Sequence, residues 1–463
     1  MRLNLWSLAF VVAVARASFA ADVPRSAVAS GGGNLIANPE FVVGKTEGSV
    51  VGWTFWSPRK VLASGSSCDG KTLCLSCDRF EQYGAWITDV SNIEPGHFYR
   101  FEVMHQAKGV TSEDVSVAVI LTWHKAGEPR SELQRDYVEP IGSDAEGWRT
   151  DGRTLQAPEK AGSVSVELLL RWAPHGSVAF KSPRLTEVPP PARRVARIIT
   201  THLEPSKPAS VEGNTLIMSR MLDKVGDQHP DLVLFSENFV DRGVRLPFDQ
   251  KAQPIPGPLT DMLSKKAKAI HSYVVTTLHE VDQGVVYNTA VLIDREGKLV
   301  GKYHKVQIAM AESEGGITPG SEFPVFQTDF GKVGILTCWD NWFSDPARIL
   351  RLKGAEILLF PLAGDGTPNH YEVTVRARAM DNGLYVVSCP TLNDVPGMIV
   401  NPAGDVVARV NGPFDYAVAD LDLNREWRVR YLSVANGDGE AKSLYIKERR
   451  PDTYSDLARD RKP

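Results

Sequence analysis

The chain has 463 residues, 43% of them hydrophobic and 23% charged, with a formal net charge of −4. That is ordinary globular material, long enough for two or three separate cores. With no basic stripe and no run of like charge, nothing in it is suited to neutralise a phosphate backbone, and no nucleic-acid partner is expected.

In chain order, Arg2 precedes an apolar stretch from Leu5 to Val14, and small residues follow as far as Ala20. The pattern predicts a signal peptide over residues 1–20 and a secreted or periplasmic mature protein. Arg16 interrupts the stretch, which is well short of the roughly 20 residues a bilayer span needs. Of the five cysteines, Cys68, Cys74 and Cys77 cluster, while Cys338 and Cys389 stand alone downstream. In an exported chain the cluster offers one structural disulfide with a thiol left over, or three plain thiols. The Cys74-Leu-Ser-Cys77 spacing lacks the second ligand pair of a zinc site.

Between Asn34 and Val188 the pattern has period two, as in Val115, Val117, Val119, Leu121 and Trp123 and again from Val164 to Trp172. Turn signals such as Glu94-Pro95-Gly96 and Pro174-His175-Gly176 separate the runs, so an antiparallel β-sandwich is expected over residues 34–188. Pro189-Pro190-Pro191 ends it, because prolines lack the donors a sheet needs, and residues 189–193 read as a linker. Beyond, strands alternate with helices. Val195–Thr200, Asp231–Phe235, Tyr273–Leu278, Val286–Ile293, Lys332–Thr337, Glu356–Phe360 and Leu384–Ser388 read as strands, while Leu259, Met262, Leu263, Ala267 and Ile270 trace one helix face. This predicts an α/β domain over residues 194–445, followed by an exposed polar extension, 446–463, suited to reach a neighbouring subunit.

Three residues in that domain carry candidate chemistry. Cys338 ends the apolar strand Val333-Gly-Ile-Leu-Thr337 and precedes a helix opened by Ser344, Asp345 and Pro346. Strand, nucleophile, turn, helix is an order that presents a thiol near backbone N–H groups able to hold an oxyanion. Taken alone, a buried structural cysteine is the commoner case. Glu237 closes the hydrophobic run Asp231-Leu-Val-Leu-Phe-Ser-Glu237, and Lys305 ends Lys302-Tyr-His-Lys305. Each alone reads equally well as a solvated charge. Order and spacing together raise the case.

Asn34-Leu-Ile-Ala-Asn-Pro-Glu-Phe41, Gly52-Trp53 and Pro95-Gly-His-Phe-Tyr99 resemble a carbohydrate-binding-module-like, galactose-binding-like jelly roll. The resemblance implies a glycan partner for the N-terminal domain, with Trp53, Trp56, Trp86 and Trp123 available as platforms, although core packing is the commoner role of tryptophan. From about Val195 to Asp422 the chain resembles the nitrilase superfamily of carbon-nitrogen hydrolases. The motifs are Leu-Phe-Ser236-Glu237, Tyr303-His304-Lys305 and Cys338-Trp339-Asp340-Asn341-Trp342-Phe343, supported by Gly354-Ala-Glu-Ile-Leu358, Arg376-Ala-Arg-Ala379 and Asn401-Pro-Ala-Gly404. The resemblance implies a four-layer αββα sandwich, with Glu237 as base, Cys338 as nucleophile, and Lys305 and the backbone N–H of Trp339 as oxyanion donors. It also implies a second glutamate in the loop after the lysine, where Glu314 is favoured over Glu312 for standing nearer the Gly-Pro-Gly turn. Ser236, Gln307 and Ser344-Asp345 depart from the family's usual Pro, His and Pro-Glu. Relatives are commonly homo-oligomers.

Cys-Trp-Asp followed by aromatics is closer to the branch cleaving small-molecule amides and N-carbamoyl compounds than to true nitrilases. The expected reaction is therefore hydrolysis of a non-peptide C–N bond through a Cys thioester, with no metal and no cofactor. Nitrile hydrolysis and acyl transfer are the alternatives within the chemistry. The alternative of another class is a non-catalytic glycan-binding protein on a hydrolase-like scaffold.

Overall fold

A computed structural model of the chain describes residues 33–364, 368–391, 395–430 and 437–459. The expected signal peptide and the side chain of Cys68 lie outside the described residues. The chain divides into two compact units, one of residues 1–190, 433–437 and 450–463, the other of residues 191–432 and 438–449.

The first unit is one antiparallel sheet of ten strands, from Thr54–Trp56 to Gly176–Val188. Strand Glu128–Ser143 pairs with Val117–Lys125 along its middle and with Arg149–Gln156 at its end, so it serves both halves of the sheet. The inner face encloses a single core that includes Phe101, Trp123, Val166 and Phe180. Period-two burial explains the strands: Phe98–Lys108 turns Tyr99, Phe101, Val103 and His105 inward and leaves the residues between them half-exposed. Trp53, Trp86 and Trp123 are buried, and only Trp56 of the four stands half-buried. Their indole N–H groups are satisfied inside, with Trp53 donating to the Asn38 carbonyl at 3.1 Å and Trp123 to Asp136 at 3.1 Å. Packing is therefore what those three rings do.

Cys74 and Cys77 are free thiols. Residues three apart on a strand point to opposite faces, and Leu73–Cys77 accordingly buries Cys77 in the core and leaves Cys74 half-exposed. The two sulfurs are thus separated, and of the alternatives open in the sequence these two are plain thiols. The tail is anchored at its root, where the Arg450 guanidinium lies 5.3 Å from the rings of both Phe80 and Trp172. Residues 451–459 beyond it are exposed.

The second unit has two six-stranded sheets. One runs Leu299–His304, Val285–Ile293, Tyr273–Asp282, Leu232–Leu234, Val195–His202, Asp415–Asp422, with its three central strands Tyr273–Asp282, Leu232–Leu234 and Val195–His202 parallel. The other runs Val325–Gln327, Lys332–Ile335, Ile357–Pro361, Tyr385–Cys389, Met398–Val400, Val406–Arg409, again with three parallel strands inside. The sheets face each other across Ile198, Leu234, Ile335, Leu359 and Val387. Helices Val211–Gly226 and Pro258–Ile270 cover the outer face of the first sheet through Met218, Leu222 and Leu263. Helices Ser344–Leu352 and Pro368–Asn382 cover the second through Leu350 and Val375. The layer order is helix, sheet, sheet, helix. The central strands are apolar throughout because both their faces are buried. The strand segments expected from the sequence all form, displaced by a residue or two at their ends except for Tyr273–Asp282, which runs four residues beyond the expected Leu278.

Helix Ser344–Leu352 sits closely on the strand that leads to Cys338. A Cβ placed on Gly334 would lie 2.9 Å from Leu350 Cδ1 and 3.2 Å from its Cβ. Gly334→Val should therefore cost about 1–3 kcal/mol by overpacking, read as a lower urea midpoint with the slope unchanged.

Candidate active site

Glu237 lies three residues beyond the end of strand Leu232–Leu234, and Cys338 three beyond the end of Lys332–Ile335. Both strands are among the parallel ones, so both side chains emerge at a carboxyl edge, where open α/β sheets bind ligands. Lys305 directly follows strand Leu299–His304 of the first sheet.

The three meet. Lys305 Nζ donates to Glu237 Oε1 at 3.0 Å, and the Cys338 thiol lies near enough to the Glu237 carboxylate for each to shift the pKa of the other. The other carboxylate oxygen, Oε2, accepts the backbone N–H of Ala363 at 2.8 Å. Glu237 and Lys305 are almost fully buried, 4% and 2% exposed. Burial opposes ionisation of Glu237, but the Lys305 ammonium and donors from Lys305, Asn288 and Cys338 outweigh it and hold the carboxyl below its ordinary value. Lys305 also loses hydration on burial, and the Glu237 carboxylate raises its pKa well above the usual lysine range, with further help from Cys338 and Glu312. Burial pushes the Cys338 thiol far up, and Glu237 adds to that against the opposing pull of Lys305 and the Ala363 N–H. The resting site is thus a carboxylate, an ammonium and a neutral thiol.

The backbone at both key positions is unusual. Cys338 has φ +46 and Asn238, next to Glu237, φ +47, both in the left-handed region. Asn238 is fixed by its N–H donating to Thr277 Oγ1 at 2.7 Å and by Thr277 donating back to its side chain at 2.9 Å. Cys338 opens a tight helical turn, Cys338–Trp342, closed by Asp340. Asp340 is fully buried and accepts from the Thr337 N–H at 2.8 Å, the Tyr303 hydroxyl at 2.6 Å and the Gln307 N–H at 2.8 Å. Burial nevertheless pushes its carboxyl up to about 6. Asp340 therefore ties the cysteine turn to the loop that follows Lys305.

The second glutamate is a correction. Glu312, not Glu314, reaches Lys305, at 2.7 Å, and also accepts from Asn288 at 2.8 Å. Glu312 occupies the first turn of helix Met310–Glu314, and its carboxylate accepts the Ala309 N–H at 3.0 Å, which folds it back toward the site. Glu314 lies two residues on, roughly 200° round the helix, and is exposed. Trp339 carries its indole outward, 42% exposed and edge-on to Phe343 at 5.9 Å.

Two of the departures noted in the sequence fall where they leave the triad untouched. Gln307 contributes its backbone N–H, which any residue but proline supplies. The Ser236 hydroxyl accepts from Thr391 at 2.8 Å, away from Glu237. Missed in the sequence were Asn288, bonded to both glutamates, and the Ala363 N–H; neither has a local signature, because each acts through a partner remote in the chain. Among the described residues, no group of His, Cys, Asp and Glu is placed to hold a metal ion, and no helix is long and apolar enough to cross a membrane.

A buried Glu and Lys and a half-buried Cys thus gather at the strand ends of the α/β unit. The carbon-nitrogen hydrolase model matches residues 196–431, just over half of the chain, and the chain belongs to that family of enzymes. Omega-amidase NIT2 of Xenopus tropicalis is 34% identical over 196 residues, 38% of this chain and 71% of that protein. The Homo sapiens protein of the same name is 31% identical over 202 residues, 40% of this chain and 73% of its own. Among solved structures, Saccharomyces cerevisiae Nit3 covers 50% of this chain and 90% of its own at 25% identity, TM-score 0.44. An amidase from Nesterenkonia sp. covers 58% and 98% at 19% identity, TM-score 0.48.

Because only glycine adopts a positive φ without steric cost, the backbone at residue 338 predicts an inversion of the usual order. Cys338→Gly should be more stable than Cys338→Ala by about 1 kcal/mol, measured as a higher thermal midpoint for the glycine variant.

Proposed function

We propose that the protein is an amidase that hydrolyses small-molecule amides or N-carbamoyl compounds through a thioester on Cys338. The observation that carries this reading is the buried Glu237 carboxylate held at 3.0 Å by the Lys305 ammonium, with the Cys338 thiol close enough to feel both charges. A thiol that is neutral at rest needs a base at the moment of attack, and Glu237 is ionised and in place. Sulfur attacks the carbonyl carbon as its proton passes to Glu237. The carbonyl oxygen becomes an oxyanion beside Lys305, two of whose three N–H bonds are engaged by Glu237 and Glu312, leaving one for the oxyanion. Collapse breaks the C–N bond, and Glu237 returns the proton to the departing amine. Water, deprotonated by Glu237, then attacks the thioester, releasing the acid and restoring the thiol. Glu312 keeps the ammonium in position from the far side.

Omega-amidase relatives at 31–34% identity support an amide as substrate. Export is part of the proposal on the strength of residues 1–20, and N-terminal sequencing of the secreted protein would test it through a start at Ala21 or Asp22. A carbohydrate-binding role for the first unit is proposed on its motifs alone; three of its four candidate tryptophans are core.

The test is ammonia and acid release from primary amides, N-carbamoyl compounds and nitriles. Cys338→Ala should abolish turnover of the amides, and Glu237→Gln should lower kcat by about 10²–10⁴. Turnover of nitriles with none of amides would reverse the assignment. The pH profile has a definite sign: the active form carries ionised Glu237, whose pKa is depressed, so kcat/KM stays flat through the ordinary glutamate range and falls only below it.

A further inference from the structure

Asn288 is 0% exposed and lies in strand Val285–Ile293, opposite Lys305, whose backbone N–H donates to the Asn288 carbonyl at 2.9 Å. Register thus delivers the two side chains to the same place. Asn288 Nδ2 donates to Glu237 Oε1 and to Glu312 Oε1, at 2.8 Å each. Lys305 Nζ donates to the same two residues, at 3.0 and 2.7 Å. The carboxylates are therefore clamped by two donors in parallel, one charged and one neutral. The amide can face only this way, since turning it would set its oxygen against two carboxylate oxygens. Its Oδ1 is buried without a partner among the described residues. Buried carbonyls are nearly always satisfied, so an asparagine kept for packing alone would not stand like this.

The alternatives to asparagine explain the choice. A second cation there would satisfy both carboxylates so well that Glu237 would lose basicity. An aspartate would add a third negative charge, and a leucine of the same size would leave Glu237 Oε1 to Lys305 alone while burial favoured the protonated form. We propose that Asn288 is a positioning residue for the reaction proposed above, on which this inference rests: its amide is the neutral donor that lets two carboxylates share one ammonium, with Glu237 ionised and turned to the thiol.

The test needs no knowledge of the substrate. Alkylation of Cys338 by iodoacetamide is followed by intact mass across pH in the full chain, with Cys338→Ala as blank, beside kcat/KM on whichever amide proves active. In the native protein both rates should fall at low pH as Glu237 takes up its proton. Asn288→Leu should move that acid limb up by about one pH unit, and Asn288→Asp further, with KM little changed. Asn288→Ser, too short to span both carboxylates, gives the same comparison where leucine disturbs folding. A residue that only supported the fold would lower the thermal midpoint and scale the rates equally at every pH, and coincident acid limbs would therefore overturn the proposal. Cys338 labelling no faster than buried Cys389 in the native protein would instead remove the nucleophile reading, and this inference with it.

Discussion

The buried contact between Lys305 and Glu237 is the constraint around which the second unit is arranged. Two opposite charges removed from water favour the fold only where hydrogen bonds replace the lost hydration on every side. Here most of it is replaced: the carboxylate takes Lys305, Asn288 and the Ala363 N–H, and the ammonium takes a second carboxylate from Glu312, with one N–H left over. Losing Lys305 would leave both carboxylates buried without their counter-charge. The same low-dielectric surroundings keep the thiol protonated.

Two sheets are required to build this arrangement. Glu237 and Lys305 come from one and Cys338 from the other, and the apolar layer between Leu234 and Ile335 fixes their separation. Asp340 adds a polar tie across the same gap, bonding Tyr303 and Gln307 of the lysine segment from within the cysteine turn. Left-handed backbone at Cys338 and Asn238 is the local cost of turning both chains sharply at the strand ends. That cost falls at the turns next to Glu237 and Cys338, while the strands behind them remain regular.

Much of this was legible beforehand, and for identifiable reasons. The strands of the α/β unit are apolar on both faces, so each announces itself as an unbroken run ending in a polar residue, which is how Glu237 and Cys338 were found. Period-two alternation did the same for the first unit. The Glu312 and Glu314 choice failed because proximity to a turn in sequence says nothing about which way a helical side chain faces; the backbone N–H of Ala309 decided it. Asn288 and Ala363 were invisible because their partners lie 24 to 126 positions away. Of the two readings left open for the cysteine cluster, plain thiols hold for Cys74 and Cys77, since strand geometry sends these close neighbours to different sides.

The strand Glu128–Ser143 has a bearing on how the first unit comes apart. Because one continuous stretch of chain is hydrogen-bonded to both halves of the sheet, neither half retains its edge partner if the other peels away. The shared segment therefore couples the two halves, and loss of its pairing on one side should weaken the other, which favours a single unfolding transition.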